Sequence, residues 1–220
     1  MYNMPYNMGW ETACSINLTN NWQLRKKMKK QLTFSQYRLI DLIAFALMYA
    51  VFEYIIIRAA MGSLFRDQVF TVSLAGAITS IVYMRWGLWG GIHAALTGAL
   101  YCLYSGGTAT QFAVYILGNL CSLPAALVLR RIGPERVRTG YWSCLLFPLA
   151  VILLMQGGRA LVSLILGGPA DGGLGFFTTD ALSILFTLVI LWIARRLDGV
   201  YEDQKHYLLR IQKEDKPHLQ

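Results

Sequence analysis

The hydrophobic positions of the chain form six long apolar segments, separated by short polar or basic connections. A helix needs about 20 apolar residues to cross the hydrocarbon core of a bilayer, and most of the segments approach that length. The predicted spans are residues 39–60, 69–84, 86–104, 109–129, 141–166 and 176–194. The pattern therefore predicts an all-α membrane protein with six transmembrane helices.

The same pattern divides the chain into three regions. Residues 1–38 are predicted to be a basic cytoplasmic segment, and the first 27 of them lack a hydrophobic period, so we expect those to be disordered. Residues 39–196 form the six-helix transmembrane domain. Residues 197–220 are charged, and we expect a cytoplasmic tail that is at most weakly helical.

Proline and glycine indicate where the spans are interrupted. Pro124 is expected to kink or break the last turns of the fourth span. The sequence Gln-Gly-Gly-Arg at residues 156–159 interrupts the fifth span. Residues 167–175, GGPADGGLG, are predicted to be a flexible outer loop that could act as a lid, and residues 61–68 a short connection. The first span is too long for the apolar part of a signal peptide, so we expect no cleaved leader.

The composition supports a membrane protein and argues against a nucleic-acid-binding one. The chain is 55% hydrophobic and 15% charged, whereas soluble domains carry about a quarter charged residues. Its mean hydropathy is +0.44. The formal net charge is +8, but the basic residues cluster beside the apolar spans and no nucleic-acid-binding motif accompanies them.

The basic residues also predict the orientation. With the N-terminus inside, all but three of the 20 lysines and arginines fall on the cytoplasmic side; the exceptions are Arg58, Arg66 and Arg159. Cytoplasmic loops carry such an excess of basic residues. We therefore expect both termini in the cytoplasm and a multi-pass protein of the bacterial cytoplasmic membrane.

With this orientation, polar side chains of several spans reach one level in the outer leaflet. Ionisable groups at that depth are costly and usually functional. One interpretation is an outward-facing pocket for a small polar or amphipathic solute, with Arg159 offering a planar set of donors to an anionic group. The other is a set of structural ion pairs and side chains that reach the interface. The candidate ligand-binding residues are Glu53, Arg58, Tyr104, Gln111, Tyr115, Asn119, Gln156, Arg159, Thr178, Thr179 and Asp180.

Other residues that could carry chemistry give weaker signals. Asp41 is expected to cap the first span or pair with Arg38, and His93 to be a hydrogen-bonded core residue rather than a ligand or proton carrier. The four cysteines lack metal-ligand or disulfide spacing. The chain has no Walker A, HExxH or GxSxG motif, so we expect neither an enzyme nor a metal or cofactor site.

The first span carries Ala46 and Ala50, a small-xxx-small pair that lets another helix approach closely in lipid. Together with the six spans, the internal termini and the polar outer level, this AxxxA motif resembles the substrate-binding S components of energy-coupling factor (ECF) vitamin transporters. The resemblance covers roughly residues 28–198 and rests more on architecture than on a fingerprint.

The resemblance implies a function and a set of partners. An S component captures a vitamin or related micronutrient at the outer face. Ala46 and Ala50 would then contact a transmembrane coupling subunit, which two cytoplasmic ATPases drive. The alternative is a membrane scaffold or cell-shape protein of the MreD type, which has a similar size and span number. A scaffold needs partner surfaces but no outer pocket, so the packing of the polar residues distinguishes the two.

Overall fold

The computed structural model describes residues 33–61, 72–169, 172–197 and 199–214. The regular structure in these ranges is entirely helical, as the sequence predicts. The helices are α1 Phe34–Met61, α2 Ala75–Trp86, α3 Gly90–Ser105, α4 Ala109–Leu120, α5 Leu123–Ile132, α6 Pro134–Thr139, α7 Tyr141–Ile165, α8 Gly172–Thr179, α9 Ala181–Ala194 and α10 Gln204–Glu214. A 3-10 turn at Gly87–Trp89 connects α2 to α3.

Within the described ranges, three helical stretches are long and apolar enough to cross a membrane. They are α1, the stretch Ala109–Ile132 that comprises α4 and α5, and α7. Helix α9 is apolar but shorter. This part of the chain therefore has the helices of a membrane protein, whereas six spans and cytoplasmic termini stay predictions. The segment 1–27 and most of the connection 61–68 lie outside the described residues.

The N-terminal end of α1 extends beyond the predicted apolar span because its first turn is capped. The backbone N–H of Gln36 donates to the side-chain oxygen of Thr33 at 3.3 Å, and the side chain of Gln36 accepts from the backbone N–H of Thr33 at 3.0 Å. This reciprocal pair is a capping box, which satisfies two helix-end donors. The helix consequently begins at Phe34 rather than at residue 39.

The predicted break near Pro124 is confirmed, although it comes slightly earlier. Helix α4 ends at Leu120, Cys121 and Ser122 form a turn, and α5 begins at Leu123. Pro124 occupies the first turn of α5, where a missing backbone N–H leaves no helical hydrogen bond unmade.

Three of the sequence predictions are wrong. The predicted interruption of the fifth span at residues 156–159 is absent: α7 is continuous from Tyr141 to Ile165, and its Gly158 packs closely on α4. Residues 172–175 of the predicted flexible loop belong to α8, so the sixth span is divided into α8 and α9 with Asp180 between them. Helix α8 packs on α7, where Gly173 faces Ala160; a Cβ on Gly173 would make an ordinary contact of 3.4 Å with the Cβ of Ala160. The tail forms α10, because Asp203 accepts hydrogen bonds from the backbone N–H groups of the first turn.

Helix α2 lies at the centre of the packing. Every residue from Ala75 to Trp86 is buried, and α2 contacts α3, α7 and α9. Helix α4 packs on α3 on one side and on α7 on the other. The contact between α4 and α7 is close because two glycines face each other: a Cβ on Gly158 would lie 2.2 Å from the carbonyl oxygen of Gly118. This approach positions the polar residues described below.

Gly158→Ala is expected to destabilise the protein by about 1–3 kcal/mol, because the added methyl group overpacks the contact between α4 and α7. Gly157→Ala is the matched control, since a Cβ there meets nothing within 4 Å. Alanine also favours a helix by roughly 1 kcal/mol over glycine, so the control should be neutral or stabilising. The free energy of unfolding in mixed micelles measures both. Equal effects at the two positions would contradict the close contact.

Candidate functional site

Arg159 on α7 is 6% exposed and is surrounded by polar and aromatic partners from two helices and a helix break. Its Nε donates to Asn119 Oδ1 at 2.8 Å. Its Nη1 donates to Gln156 Oε1 at 3.1 Å and to Asp180 Oδ2 at 3.0 Å. Its guanidinium carbon lies 4.5 Å from the centre of the Tyr115 ring. We refer to these five residues as the Arg159 cluster.

Each member of the cluster is positioned by a simple local feature. Gln156 and Arg159 are three residues apart on α7 and therefore share a face. Asp180 sits at the break between α8 and α9, and its carboxylate also accepts from Gln156 Nε2. Asn119 reaches Arg159 because Gly118 lets α4 approach α7. The buried cation is thus matched by a carboxylate, two amide oxygens and an aromatic face.

The cluster is anchored further through α3. Asn119 Nδ2 donates to the carbonyl of Ala94 at 3.0 Å and to Thr97 Oγ1 at 3.3 Å. Tyr115 stacks on Tyr101 with ring centres 4.9 Å apart. Tyr101 was not among the candidate residues predicted from sequence. The available signal was spacing: Tyr101 follows the small residue Gly98 by three positions, on the face that packs against α4.

Glu53 is fully buried but is bonded to the start of α2 rather than to Arg159. Its Oε2 accepts from the backbone N–H of Leu74 at 3.1 Å. Its Oε1 is buried, and the side chains of Tyr49 and Ser73 lie close to the carboxylate. An ionisable group buried in an apolar helix is costly and usually functional. Glu53 therefore remains a candidate functional residue, although the structure shows no direct hydrogen bond between it and the described residues of the Arg159 cluster.

The other predicted site residues have local partners. Arg58 is exposed and lies over the ring of Tyr54 at 5.2 Å, and Tyr104 packs edge-on against the same ring. Gln111 is exposed and forms a capping box with Thr108 at the start of α4. The hydroxyls of Thr178 and Thr179 both donate to the carbonyl of Gly175. The structure does not bring these residues into the Arg159 cluster.

A small cavity lies beside the cluster. It measures about 20 Å³ and is lined by residues that include Gln156, Arg159, Asp180, Ser183 and Thr187. This volume accommodates about one water molecule, whereas sites for small organic ligands have roughly 300–1,000 Å³. The donors of Arg159 are thus directed at protein groups, and the predicted pocket is closed in this conformation.

A second buried ion pair lies between α1 and α2. Arg85 donates to both carboxylate oxygens of Asp41, from Nε at 2.8 Å and from Nη2 at 2.7 Å. Trp86 Nε1 donates to the same carboxylate at 2.6 Å. Arg85 also donates to the carbonyls of Gly199 and Val200, which precede α10. Sequence analysis treated Asp41 as a cap or a partner of Arg38 and did not identify Arg85.

His93 on α3 is a core residue, as the sequence predicts. The side chain is 2% exposed, and its Nε2 lies 3.0 Å from the carbonyl oxygen of Leu42. His93 is therefore a hydrogen-bonded core residue that links α3 to α1.

Ala46 and Ala50 are half-buried on α1. Ala46 follows the buried Leu42 by four residues and precedes the buried Tyr49 by three, so it lies on the inward face of the helix. The opposite face carries large exposed apolar residues, among them Leu47 and Val51. The predicted docking residues are thus next to the packed side of α1 and not at the centre of its exposed side.

Within the described ranges, no group of three or more His, Cys, Asp or Glu residues could hold a metal ion. Cys102, Cys121 and Cys144 are free thiols. Comparison with known proteins identifies no family: no protein-family model, curated protein or solved structure matches the chain.

Proposed function

We propose that this chain is the substrate-binding membrane subunit of an ECF-type importer, which captures a vitamin-like micronutrient at the outer face. The observation that carries the proposal is Arg159, a permanently charged side chain buried in an apolar helix. Small residues and uncharged polar side chains are sufficient for helix association in lipid. A buried guanidinium with a carboxylate, two amides and an aromatic ring around it is therefore best explained by recognition of a polar solute.

The cluster indicates which kind of solute would bind. An arginine recognises carboxylate and phosphate groups through two parallel hydrogen bonds. Asp180 accepts one of the hydrogen bonds of Arg159 in the described conformation. A solute anion would take the place of this carboxylate, and the stacked pair Tyr115 and Tyr101 would offer an aromatic surface. We therefore propose a solute with an anionic or strongly hydrogen-bonding group.

Opening the site requires movement of the segment that covers it. Helix α8 is rich in glycine and is joined to α9 at Asp180, so its displacement would separate Asp180 from Arg159. In this proposal α8 acts as the lid. A transmembrane coupling subunit and two cytoplasmic ATPases would then drive release on the inner side, with six spans and both termini in the cytoplasm.

A scaffold of the MreD type is the second candidate, and one observation favours it. The cavity at the Arg159 cluster measures only about 20 Å³. Arg159 donates hydrogen bonds to Asn119 and to Asp180, so its donors are already used within the protein. A cluster that serves only to connect α4, α7 and α9 would have the same contacts. The two functions differ in whether a solute can replace the internal partners of Arg159.

Arg159→Lys is expected to weaken solute binding by about 1–3 kcal/mol, because lysine keeps the charge and loses the planar set of donors. The solute is identified by mass spectrometry of small molecules that co-purify with the chain, and its affinity is then measured in detergent. Arg58→Lys is the matched control, since Arg58 is exposed and outside the cluster. Unchanged binding with a lower melting temperature for Arg159→Lys would make Arg159 a structural ion-pair residue and would remove the main support for a solute pocket at the Arg159 cluster.

Ala46→Trp combined with Ala50→Trp is expected to abolish co-purification with a coupling subunit, because bulky residues prevent close helix approach. Because Ala46 lies on the inward face of α1, solute binding is measured on the same variant; loss of the partner with solute binding retained separates docking from overpacking. Leu47→Trp with Val51→Trp is the matched control, with the same spacing on the exposed face of α1. A loss of the partner in the control pair alone would place the docking surface on the exposed face instead.

A further inference from the structure

A cationic hollow lies between the end of α6 and the end of α9, away from the Arg159 cluster. It is lined by Arg138, Thr139, Arg195 and Arg196 and has a volume of about 330 Å³. This volume falls in the range of small-ligand sites, unlike that of the cavity beside Arg159. The hollow therefore has room for a bound group of several heavy atoms.

Arg195 is held rigidly and has unused donor capacity. Its guanidinium carbon lies 4.4 Å from the ring centre of Tyr141 and 4.1 Å from that of Trp192. Its Nη1 is buried and has no hydrogen-bond partner among the described residues. An anion in the hollow would accept from the other donors of Arg195, which line it. The fixed position of the side chain lowers the entropy lost when it binds.

The hollow carries an excess of positive charge. Arg138 is paired with Glu202 at 2.8 Å, and Glu202 is shared with Arg210. Among the described residues, neither Arg195 nor Arg196 has an ion-pair partner. The hydroxyl of Thr139 already donates to the carbonyl of Glu135, so recognition of an anion falls to the arginines.

The surrounding aromatic residues place the hollow at the end of two apolar helices. Helix α7, one of the three candidate spans, begins at Tyr141, and α9 ends at Ala194. Tyr141 and Trp142 are highly exposed, Trp142 at 77%. Tyrosine and tryptophan are enriched at the level of the lipid headgroups, and basic pockets at that level bind anionic headgroups.

We propose that the hollow lined by Arg138, Arg195 and Arg196 binds a phosphoryl anion, carried either by an anionic lipid headgroup or by free phosphate. The planar donors of arginine match the oxygens of a phosphoryl group, and the ligand would be held without any change in its covalent structure. This site is separate from the proposed solute pocket. The proposal therefore holds whether the chain is an importer subunit or a scaffold.

The test uses the full chain, purified in neutral detergent. Phosphatidylglycerol and phosphatidylcholine are added in separate titrations, and native mass spectrometry measures the affinity of each. A third titration adds inorganic phosphate against chloride at equal ionic strength, with the melting temperature as readout. Wild-type protein should bind phosphatidylglycerol, phosphate or both, in preference to phosphatidylcholine and chloride.

Arg195→Gln combined with Arg196→Gln should weaken binding by about fivefold for each arginine removed. Arg130→Gln with Arg131→Gln is the matched control: it removes the same charge from exposed positions at the end of α5, outside the hollow. Because Arg195 packs on two rings, Arg196→Gln alone is the second variant; Arg196 is exposed, and a loss of about fivefold is expected.

The outcomes separate the sources and the alternatives. Arginine-dependent binding of phosphatidylglycerol alone identifies a lipid headgroup site, and arginine-dependent stabilisation by phosphate alone identifies a site for the free anion. An equal loss in the Arg130/Arg131 control would show diffuse surface attraction and overturn the proposal. Failure of wild-type protein to distinguish anionic from neutral ligands would overturn it as well.

Discussion

Asp41→Ala is expected to lower the free energy of unfolding by about 3–5 kcal/mol, because it removes one partner of a buried ion pair. Arg85 is 7% exposed, and both of its bonds to Asp41 are shorter than 3 Å. A guanidinium cannot lose its proton to avoid the cost, and Trp86 also loses its acceptor. Chemical unfolding in mixed micelles measures the change.

The control for Asp41→Ala is a carboxylate on an exposed ion pair. Glu135 is 65% exposed and lies 3.6 Å from Arg138, so Glu135→Ala should cost at most about 1 kcal/mol. Asp41→Leu combined with Arg85→Met removes both charges and should recover part of the loss. Recovery is incomplete because the carbonyls of Gly199 and Val200 lose their donor. Equal costs for Asp41→Ala and Glu135→Ala would contradict a strongly coupled buried pair.

The apolar helices could be predicted from sequence because their limits depend on local features. The predicted span 141–166 agrees closely with α7, Tyr141–Ile165, since Gly140 precedes it and Gly167 follows it. The segment 167–175 was mispredicted because glycine usually indicates a loop. Here α8 packs on α7, and this tertiary contact overrides the local preference.

The sequence predicts which residues are available for the candidate site, but not which of them contact one another. Gln156 and Arg159 share a face of one helix, which three-residue spacing shows directly. Their meeting with Asn119 depends on the rotation and separation of α4 and α7, which the glycine contact at Gly118 determines. The pair of Asp41 with Arg85 likewise requires the relative register of two helices. Residue type and depth therefore predict which groups are available, and packing decides which of them meet.

Asp180→Ala is expected to lower the free energy of unfolding by about 3–5 kcal/mol and more than Arg159→Ala does. Asp180→Ala leaves a buried guanidinium that stays charged, and its remaining partners among the described residues are Asn119, Gln156 and Tyr115. Arg159→Ala leaves a carboxyl group that can take up a proton. The comparison of the two variants in mixed micelles checks this order. A larger cost for Arg159→Ala would contradict it.

The same variant distinguishes a solute pocket from a sealed structural cluster. Replacing Asp180 with alanine removes a group equivalent in size to formate or acetate, next to a cavity that already borders Arg159. If the site opens to a solute anion, acetate should raise the melting temperature of Asp180→Ala at constant ionic strength. It should not stabilise Arg159→Met combined with Asp180→Ala, which lacks the guanidinium. Destabilisation of Asp180→Ala without any rescue by acetate or formate would mean that the cluster is closed to anions, and would favour the scaffold over the importer subunit.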